Sequence, residues 1–400
     1  MEQWEKYKLQ DICTVINGAG FNRSDFTESG IPVVKTANVK PDRIILEGLT
    51  CVSETAAKKK AKSMIKPGDI ILVMTGNKMD GNPDNRVGRL ALFQEKGNYI
   101  LNQRLCLIRG NQELVNSEYL VYYLSAGEVQ NYFMDHATCT GRQVNISLST
   151  VYNCMLKVPN LETQDRIVSR LKGLDLKIKS HERTINQLEQ QAQTYFNENY
   201  IENRNPEWKE GTLADLGKIV SGGTPSKEKQ EYYSEHGVAW ITLKDLSDSK
   251  EKFISHGKKD ISELGVKHCS AVKMPAGTVL FSSRASIGHM AIALNELTTN
   301  QGFRSVIPKE NIGTAFVYFI LKYSLPVIEK MASGHYIYNE ISGKDMKMVP
   351  VLIPDEDTIK KINEYCNPIF GLQRKLEEEI RNLKQKKETL LREILTGRFL

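Results

Sequence analysis

Four short stretches of this 400-residue chain carry side chains suited to paired hydrogen bonds at a flat polar edge. The first holds Lys78, Asn82, Asn85 and Arg86, and the second Arg142, Gln143 and Asn145. The third holds Ser282, Ser283, Arg284 and Ser286, and the fourth His335, Tyr336, Tyr338 and Asn339. Arg donates two parallel hydrogen bonds that match guanine, while Asn and Gln pair a donor with an acceptor as adenine requires. Lys, Ser, Thr and backbone amides suit phosphate and set position. These residue types read as contacts to nucleic acid, with plain solvation of polar loops as the alternative. Gly141 and Gly334 stand beside two of the stretches, where glycine permits close backbone approach.

Other chemistry finds little footing. Gly257-Lys258-Lys259 and Gly343-Lys344-Asp345 lack the Ser or Thr that completes a phosphate-cradling loop. Gly-x-Ser-x-Gly, the nucleophile elbow, is missing. The 7 cysteines include no Cys-x-x-Cys pair, and the histidines show no zinc-ligand spacing against them, so buried free thiols are expected and no metal site. Tyr232, Tyr233 and Trp240 have faces that stack on a base, but core packing is the expected role.

These loops must be positioned by something, and the chain writes that scaffold twice. Trp4-x4-Leu9-x2-Ile12 with Gly18 returns as Trp208-x4-Leu213-x2-Leu216 with Gly222, an offset of 204 residues. Pro67-Gly68-Asp69-Ile70 corresponds to Ala276-Gly277-Thr278-Val279, Asn102-Gln103 to Asn300-Gln301, Thr140-Gly141 to Ser333-Gly334, and Val158-Pro159 to Ile353-Pro354. The order is kept while the offset drifts between 193 and 209, as surface loops allow. Apolar runs bounded by turn residues, such as Ile70 to Val73 and Val279 to Phe281, predict strands. Ser117 to Tyr132 and Thr314 to Met331 predict helices. Each copy is therefore an α+β domain. Asn102-Gln103 and Asn300-Gln301, being shared, are expected to brace the fold or touch phosphate rather than to discriminate bases.

A long charged helix follows each copy. In the first, Ile167, Leu174, His181, Leu188 and Tyr195 recur every seven residues, interleaved with Leu171, Ile178, Ile185 and Ala192. In the second, Ile362, Ile369, Leu376, Leu383 and Leu390 interleave with Cys366, Gln373, Ile380, Lys387 and Ile394. The offset here is a constant 195 residues, so the helices tolerate no slippage where the loops do. A heptad seam predicts coiled-coil packing, with the two helices antiparallel in one chain or, as the alternative, pairing between two chains. His181, Gln373 and Lys387 interrupt the seam and are expected to fix its register. The divisions are then a first globular domain at 1–158, a helix at 159–203, a second globular domain at 204–353 and a helix at 354–400.

The composition, 40% hydrophobic and 26% charged, is that of a soluble globular protein, and the net charge of +6 permits a polyanionic partner without requiring one. Charge near Met1 and the lack of any apolar run of roughly 18 residues predict a cytoplasmic chain with no membrane partner.

The ordered set, found twice, resembles the specificity subunits of type I restriction-modification systems. It comprises Trp-x4-Leu, Pro67 to Ile70, Asn102-Gln103, Thr140-Gly141 and Pro159 leading into Gln164-Asp165-Arg166-Ile167. The ending Leu395-Thr396-Gly397-Arg398-Phe399 also looks like that family's. The second copy departs at Ala276-Gly277-Thr278, Ser333-Gly334 and Ile359, the last standing where the first copy has Gln164. The resemblance implies two target recognition domains held apart by the helices and a bipartite, asymmetric site in double-stranded DNA, with one half read by each domain. It also implies two adenine methyltransferase subunits as partners and, for cleavage, ATP-dependent restriction subunits. S-adenosylmethionine, ATP and magnesium would be used by those partners, with no cofactor and no catalysis in this chain. A helix of about 30 residues is a rod of about 45 Å, on the scale of one DNA turn of roughly 34 Å.

Asn367-Pro368-Ile369-Phe370 resembles the adenine-holding loop of amino-methyltransferases, but it lacks the second proline and places Ile369 on the seam. No glycine-rich strand-to-helix turn for S-adenosylmethionine accompanies it, and Pro368 is expected to start or kink a helix. The competing readings are a scaffold with two ligand-binding heads on a coiled coil, and a fused restriction or methyltransferase enzyme.

Overall fold

The computed structural model describes residues 4–77, 86–140, 143–249, 251–333 and 339–398. The chain folds as two compact units, Met1–Ile178 with Asn382–Leu400, and Lys179–Arg381. Each long helix contributes a segment to both.

In the first unit, alternation along the strands separates two cores. The central sheet orders Cys13–Asn17, Leu105–Gly110, Ile70–Val73 and Leu90–Leu92. All four residues of Ile70–Val73 are buried, because both sheet faces are covered. Ile70 and Leu72 face a helical layer containing Tyr119, Leu124, Phe133, Ile167 and Leu171. Ile71 and Val73 face Val34, Phe93 and Leu101 beside a second sheet. That sheet orders Phe26–Thr27, Cys51–Val52, Ile31–Val34, Tyr99–Leu101 and Met64–Ile65.

The second unit repeats this plan of two sheets, with changes at the sheet edges. Its central sheet orders Gly217–Ser221, Arg304–Pro308, Val279–Phe281 and Met290–Ala293, with Phe253–Ile254 added at the edge. Its second sheet orders Tyr233–Ser234, Lys259–Ile261, Val238–Ile241 and Thr298–Thr299. Parallel pairing recurs at the same place, Val33 opposite Ile100 in one unit and Trp240 opposite Thr298 in the other. Each unit is closed by a matching antiparallel pair, Glu5–Lys8 with Met155–Val158 and Lys209–Thr212 with Pro350–Ile353.

Two expected helices are each broken in two. Ser117–Ser125 and Gly127–Asp135 are separated at Ala126, whose φ of −62° and ψ of 144° are extended. Thr314–Tyr323 and Leu325–Ala332 are separated at Ser324, where Pro326 in the new first turn has no N–H to continue the old one.

Departures between the copies are compensated locally. Gly68 and Gly277 both hold a positive φ, 92° and 84°. After Gly68, buried Asp69 receives the Lys66 amide at 2.7 Å and a two-pronged pair from Arg109 at 2.6 and 2.7 Å. The second copy loses both partners together: Thr278 closes its turn onto Pro275 O at 2.7 Å, and Ile307 stands at the strand position of Arg109. Gln164, fully buried, ties its helix to Leu114 O, Pro159 O and Asn116 N at 2.8–2.9 Å. Ile359 cannot do this, and Asn363, one turn later, binds Ile312 O at 2.8 Å and Phe316 N at 3.3 Å instead.

The long helices span Leu161–Phe196 and Glu356–Thr396, each started by a side-chain cap after a proline. Asn160 receives the Thr163 amide and Asp355 that of Thr358, both at 2.8 Å. Of the seam residues, Ile167, Leu171, Ile178, Ile362, Ile369, Leu376 and Ile380 are buried, and Leu174, Ile185, Leu188, Leu383 and Leu390 are half-buried. In the second unit, the Cys366 thiol lies 4.0 Å from Ala192 O, Gln373 donates to Ile185 O at 3.2 Å, and His181 meets Glu379 at 3.0 Å. Partners on one helix descend as those on the other ascend, so the segments are antiparallel. The first unit has the same sense, with Lys387 on Asp175 at 2.5 Å and Ile394 in the core beside Ile167. Gln373 and Lys387 therefore each hydrogen-bond to the facing helix, whereas His181 Nε2 approaches Glu379 without the geometry of a hydrogen bond. Pro368 lies inside the second helix rather than at its start, exposed, with Ile369 turned into the core.

One buried charge network fastens the second globular fold to these helices. Glu189 accepts from Lys252 at 2.6 Å, Lys322 at 2.7 Å and the Tyr318 hydroxyl at 3.2 Å. Lys252, only 8% exposed along its side chain, also reaches Gln373 at 3.0 Å and sits 3.5 Å from the Phe370 ring centre. Glu377 accepts the backbone amides of Lys252 and Phe253 at 2.8 and 3.1 Å. Burial alone would raise the Glu189 carboxyl, but the two lysines outweigh it and hold its pKa at about 2.

Candidate nucleic-acid interface

The candidate surface begins where the two sheets of each unit meet. Gly18 and Gly222 directly follow matching strands, and a Cβ on either would overlap the carbonyl oxygen of Asn102 or Asn300. The glycines are thus fixed by packing. The asparagines are backbone braces, Asn102 N donating to Val34 O at 3.0 Å and Asn300 N to Ile241 O at 2.9 Å. Gln103 and Gln301 are exposed, and the Thr224 hydroxyl donates to the Gln301 side chain.

From there the backbone continues identically in both units while the side chains diverge. Met74 N donates to Arg104 O at 3.0 Å and Ile146 N to Met74 O at 2.8 Å; Ser283 N donates to Gly302 O at 2.8 Å and Ile341 N to Ser283 O at 3.0 Å. One residue outward, Thr75 pairs with Asn145, its hydroxyl 2.8 Å from the Asn145 amide oxygen. At the matched position Arg284 is bridged to Glu340, which also takes the Arg304 guanidinium at 3.1 Å. Burial lowers the Arg304 pKa; Glu340 opposes that and nearby Arg284 adds to it. Ala285, between Arg284 and Ser286, has a φ of 61°, the sole positive value off glycine among the described residues. The first unit extends its rim with the strand Gln143–Asn145, between Thr75–Gly76 and Thr138–Thr140.

The candidates fall unevenly on this rim. Gln143 is exposed, Asn145 half-buried, and Arg86, half-buried and bridged to Asn77, has its Nε buried without a partner. Arg284 is half-buried, and Ser286 and Asn339 are exposed. Ser282 and Ser283 are corrected: both are buried, their hydroxyls donating to Ser286 O at 2.6 Å and Gly302 O at 3.0 Å, so they shape the turn and do not face outward. Lys78, Asn82, Asn85, Arg142, His335, Tyr336 and Tyr338 lie outside the described residues. Arg304 and Glu340 were missed, since neither occupies a turn motif and only strand pairing brings them to the rim. Trp240 and Tyr232 are 7% and 5% exposed, and the Trp240 indole donates to Gly223 O at 3.0 Å, as packing residues do.

Guanidinium, amide and hydroxyl groups on such a rim can donate and accept at base edges or phosphates. Among the described residues no three His, Cys, Asp or Glu side chains are placed to hold a metal, and no helix is long and apolar enough to cross a membrane. Cys13, Cys106, Cys154 and Cys366 are buried and burial raises their thiol pKa, whereas Cys51 and Cys269 are half-buried and Cys139 is exposed.

Residues 1–190 and 205–385 each match the family described as the type I restriction modification DNA specificity domain. The specificity subunit of the type I restriction enzyme HindI from Haemophilus influenzae is 23% identical across 100% of this chain and 99% of its own. That of MjaIX from Methanocaldococcus jannaschii is 37% identical, over 42% of this chain and 39% of that protein. The crystal structure of the type I restriction-modification S subunit from M. genitalium aligns with a TM-score of 0.57 at 15% identity, covering 98% of this chain and 96% of that one, a likeness of fold.

Proposed function

Because the chain belongs to the type I restriction modification DNA specificity family, we propose that it reads a bipartite, asymmetric site in double-stranded DNA, each unit's recognition fold taking one half. The observation that carries this reading is the rim. One backbone is built twice, and at matched positions it presents Thr75 with Asn145 in one copy and Arg284 with Arg304 and Glu340 in the other. Equal scaffolds with unequal hydrogen-bonding groups suit two different base sequences. The paired helices set the gap between the half-sites and dock two adenine methyltransferase subunits. Methyl transfer from S-adenosylmethionine belongs to those partners, and ATP-driven cleavage to restriction subunits where the host has them; this chain contributes recognition alone.

Deleting the gene is expected to abolish adenine methylation at one split motif across the genome, read by single-molecule sequencing of native DNA. Methylation unchanged at every split motif would refute the assignment.

A further inference from the structure

We propose that the first recognition fold grips the phosphate backbone of duplex DNA through a lysine run, Lys58 to Lys62, of which its sister fold keeps a single lysine. This rests on the DNA-reading role above and adds to it the surface that supplies affinity without sequence preference.

The run sits on a fully determined turn. Ser53 caps the helix Glu54–Lys58 by accepting the Ala56 amide at 3.2 Å, and the turn Ala61–Ser63 leads into Met64–Ile65. Ser63 is buried and donates to Asn17 O at 2.9 Å, beside Gly18. Met64 pairs with Ile100, on the strand that runs into Asn102 and Gln103. The lysines are therefore fastened to the sheet end that carries the recognition rim. Lys58, Lys59, Lys60 and Lys62 are all exposed. Among the described residues the only ion pair to this run is Glu54 with Lys58, at 3.7 Å and with side chains 72% and 81% exposed, too solvated to neutralise it.

The second unit is an internal control. Ser262 caps Glu263–Lys267 by accepting the Gly265 amide at 3.1 Å, and Met274 bridges Leu297 as Ile65 pairs with Tyr99. In that register exposed Lys267 matches Lys58, while His268, Cys269 and Ala271 replace Lys59, Lys60 and Lys62. His268 stacks on Tyr232 at 5.2 Å, and Ala271 is buried. Nearby Lys273 is held by Glu263 at 2.6 Å and Glu296 at 3.6 Å. The same backbone thus folds without three of the four charges, so the fold does not need Lys59, Lys60 or Lys62. Clustered like charges repel, and a polyanion at the adjoining rim relieves that repulsion.

The test uses the full chain assembled with its partner subunits and a labelled duplex of arbitrary sequence, with affinity measured across a range of salt concentrations. Substituting Lys59, Lys60 and Lys62 with Gln is expected to flatten the slope of log affinity against log salt by about 0.9 per lost phosphate contact, up to about 2.7. Preference among bases should not change. Substituting Lys218 and Lys309 with Gln, exposed at the end of the second unit's sheet away from Arg304, should leave the slope alone. A triple variant as salt-sensitive as the wild type, or a control that loses as much per lysine, would overturn the proposal. A wild-type assembly with no salt-dependent DNA binding would overturn the DNA-reading role along with it.

Discussion

Glu189→Gln is expected to destabilise the second unit by about 3 kcal/mol, since it leaves Lys252 and Lys322 beside a neutral amide in a largely dry site. Glu189 anchors groups from both sides of the packing: Lys252, Tyr318 and Lys322 from the globular fold, and Gln373 at 3.3 Å from the facing helix. Two of the chain's 3 tryptophans, Trp208 and Trp240, lie in this unit, so urea unfolding followed by their fluorescence reports the transition. A loss below about 1 kcal/mol, the value of an ordinary surface pair, would show that the network is incidental.

The same network has a pH signature. The Glu189 carboxyl is lowered from 4.5 to about 2 on folding, so its contribution is complete above 4.5 and is lost as pH falls from there toward 2. Wild type should therefore lose about 3 kcal/mol more than the Gln variant over that window. Burial pulls Lys252 the other way, from 10.5 to about 8 against the attraction of Glu189, so its charged form is a cost that lifts as pH rises from 8 to 10.5. The network should gain stability on the alkaline side and lose it in acid.

A matched insertion of one heptad, between Ile178 and Lys179 and between Arg381 and Asn382, is expected to widen the gap in the methylated motif by about three base pairs. Seven residues add roughly 10 Å of helix, and DNA rises roughly 34 Å per turn of about ten base pairs. A whole heptad keeps the seam facing its partner. The polar pairs survive because both helices shift together: Lys387 still meets Asp175 and Gln373 still meets Ile185. Inserting the heptad in the first helix alone sets these pairs at odds and should abolish methylation. The recovered motif measures the result, and an unchanged gap after the matched insertion would remove the helices as spacer.

Much of the architecture was legible because it rests on periodicity. Repeated turns and unslipped heptads are local signals, and they located the duplicated fold and the seam. What escaped was decided by tertiary pairing. Ser282 and Ser283 look like polar loop residues until strand pairing buries them; Arg304 looks like a strand residue until Glu340 is brought to it across the rim. The exchange of Gln164 for Asn363 shifts one job by a helical turn, which no position-by-position comparison of the copies detects. The breaks at Ala126 and Ser324 interrupt stretches whose apolar spacing runs on unbroken. Lys58 to Lys62 is plain in the sequence, but its meaning depends on the register that sets His268, Cys269 and Ala271 against it.

Exchanging residues 1–158 for the corresponding segment of another specificity subunit, then sequencing native DNA for methylated adenine, tests the division of labour most directly. One half of the motif should change to the donor's sequence, while the other half and the gap stay as they were. Simultaneous change in both halves, or in neither, would contradict it.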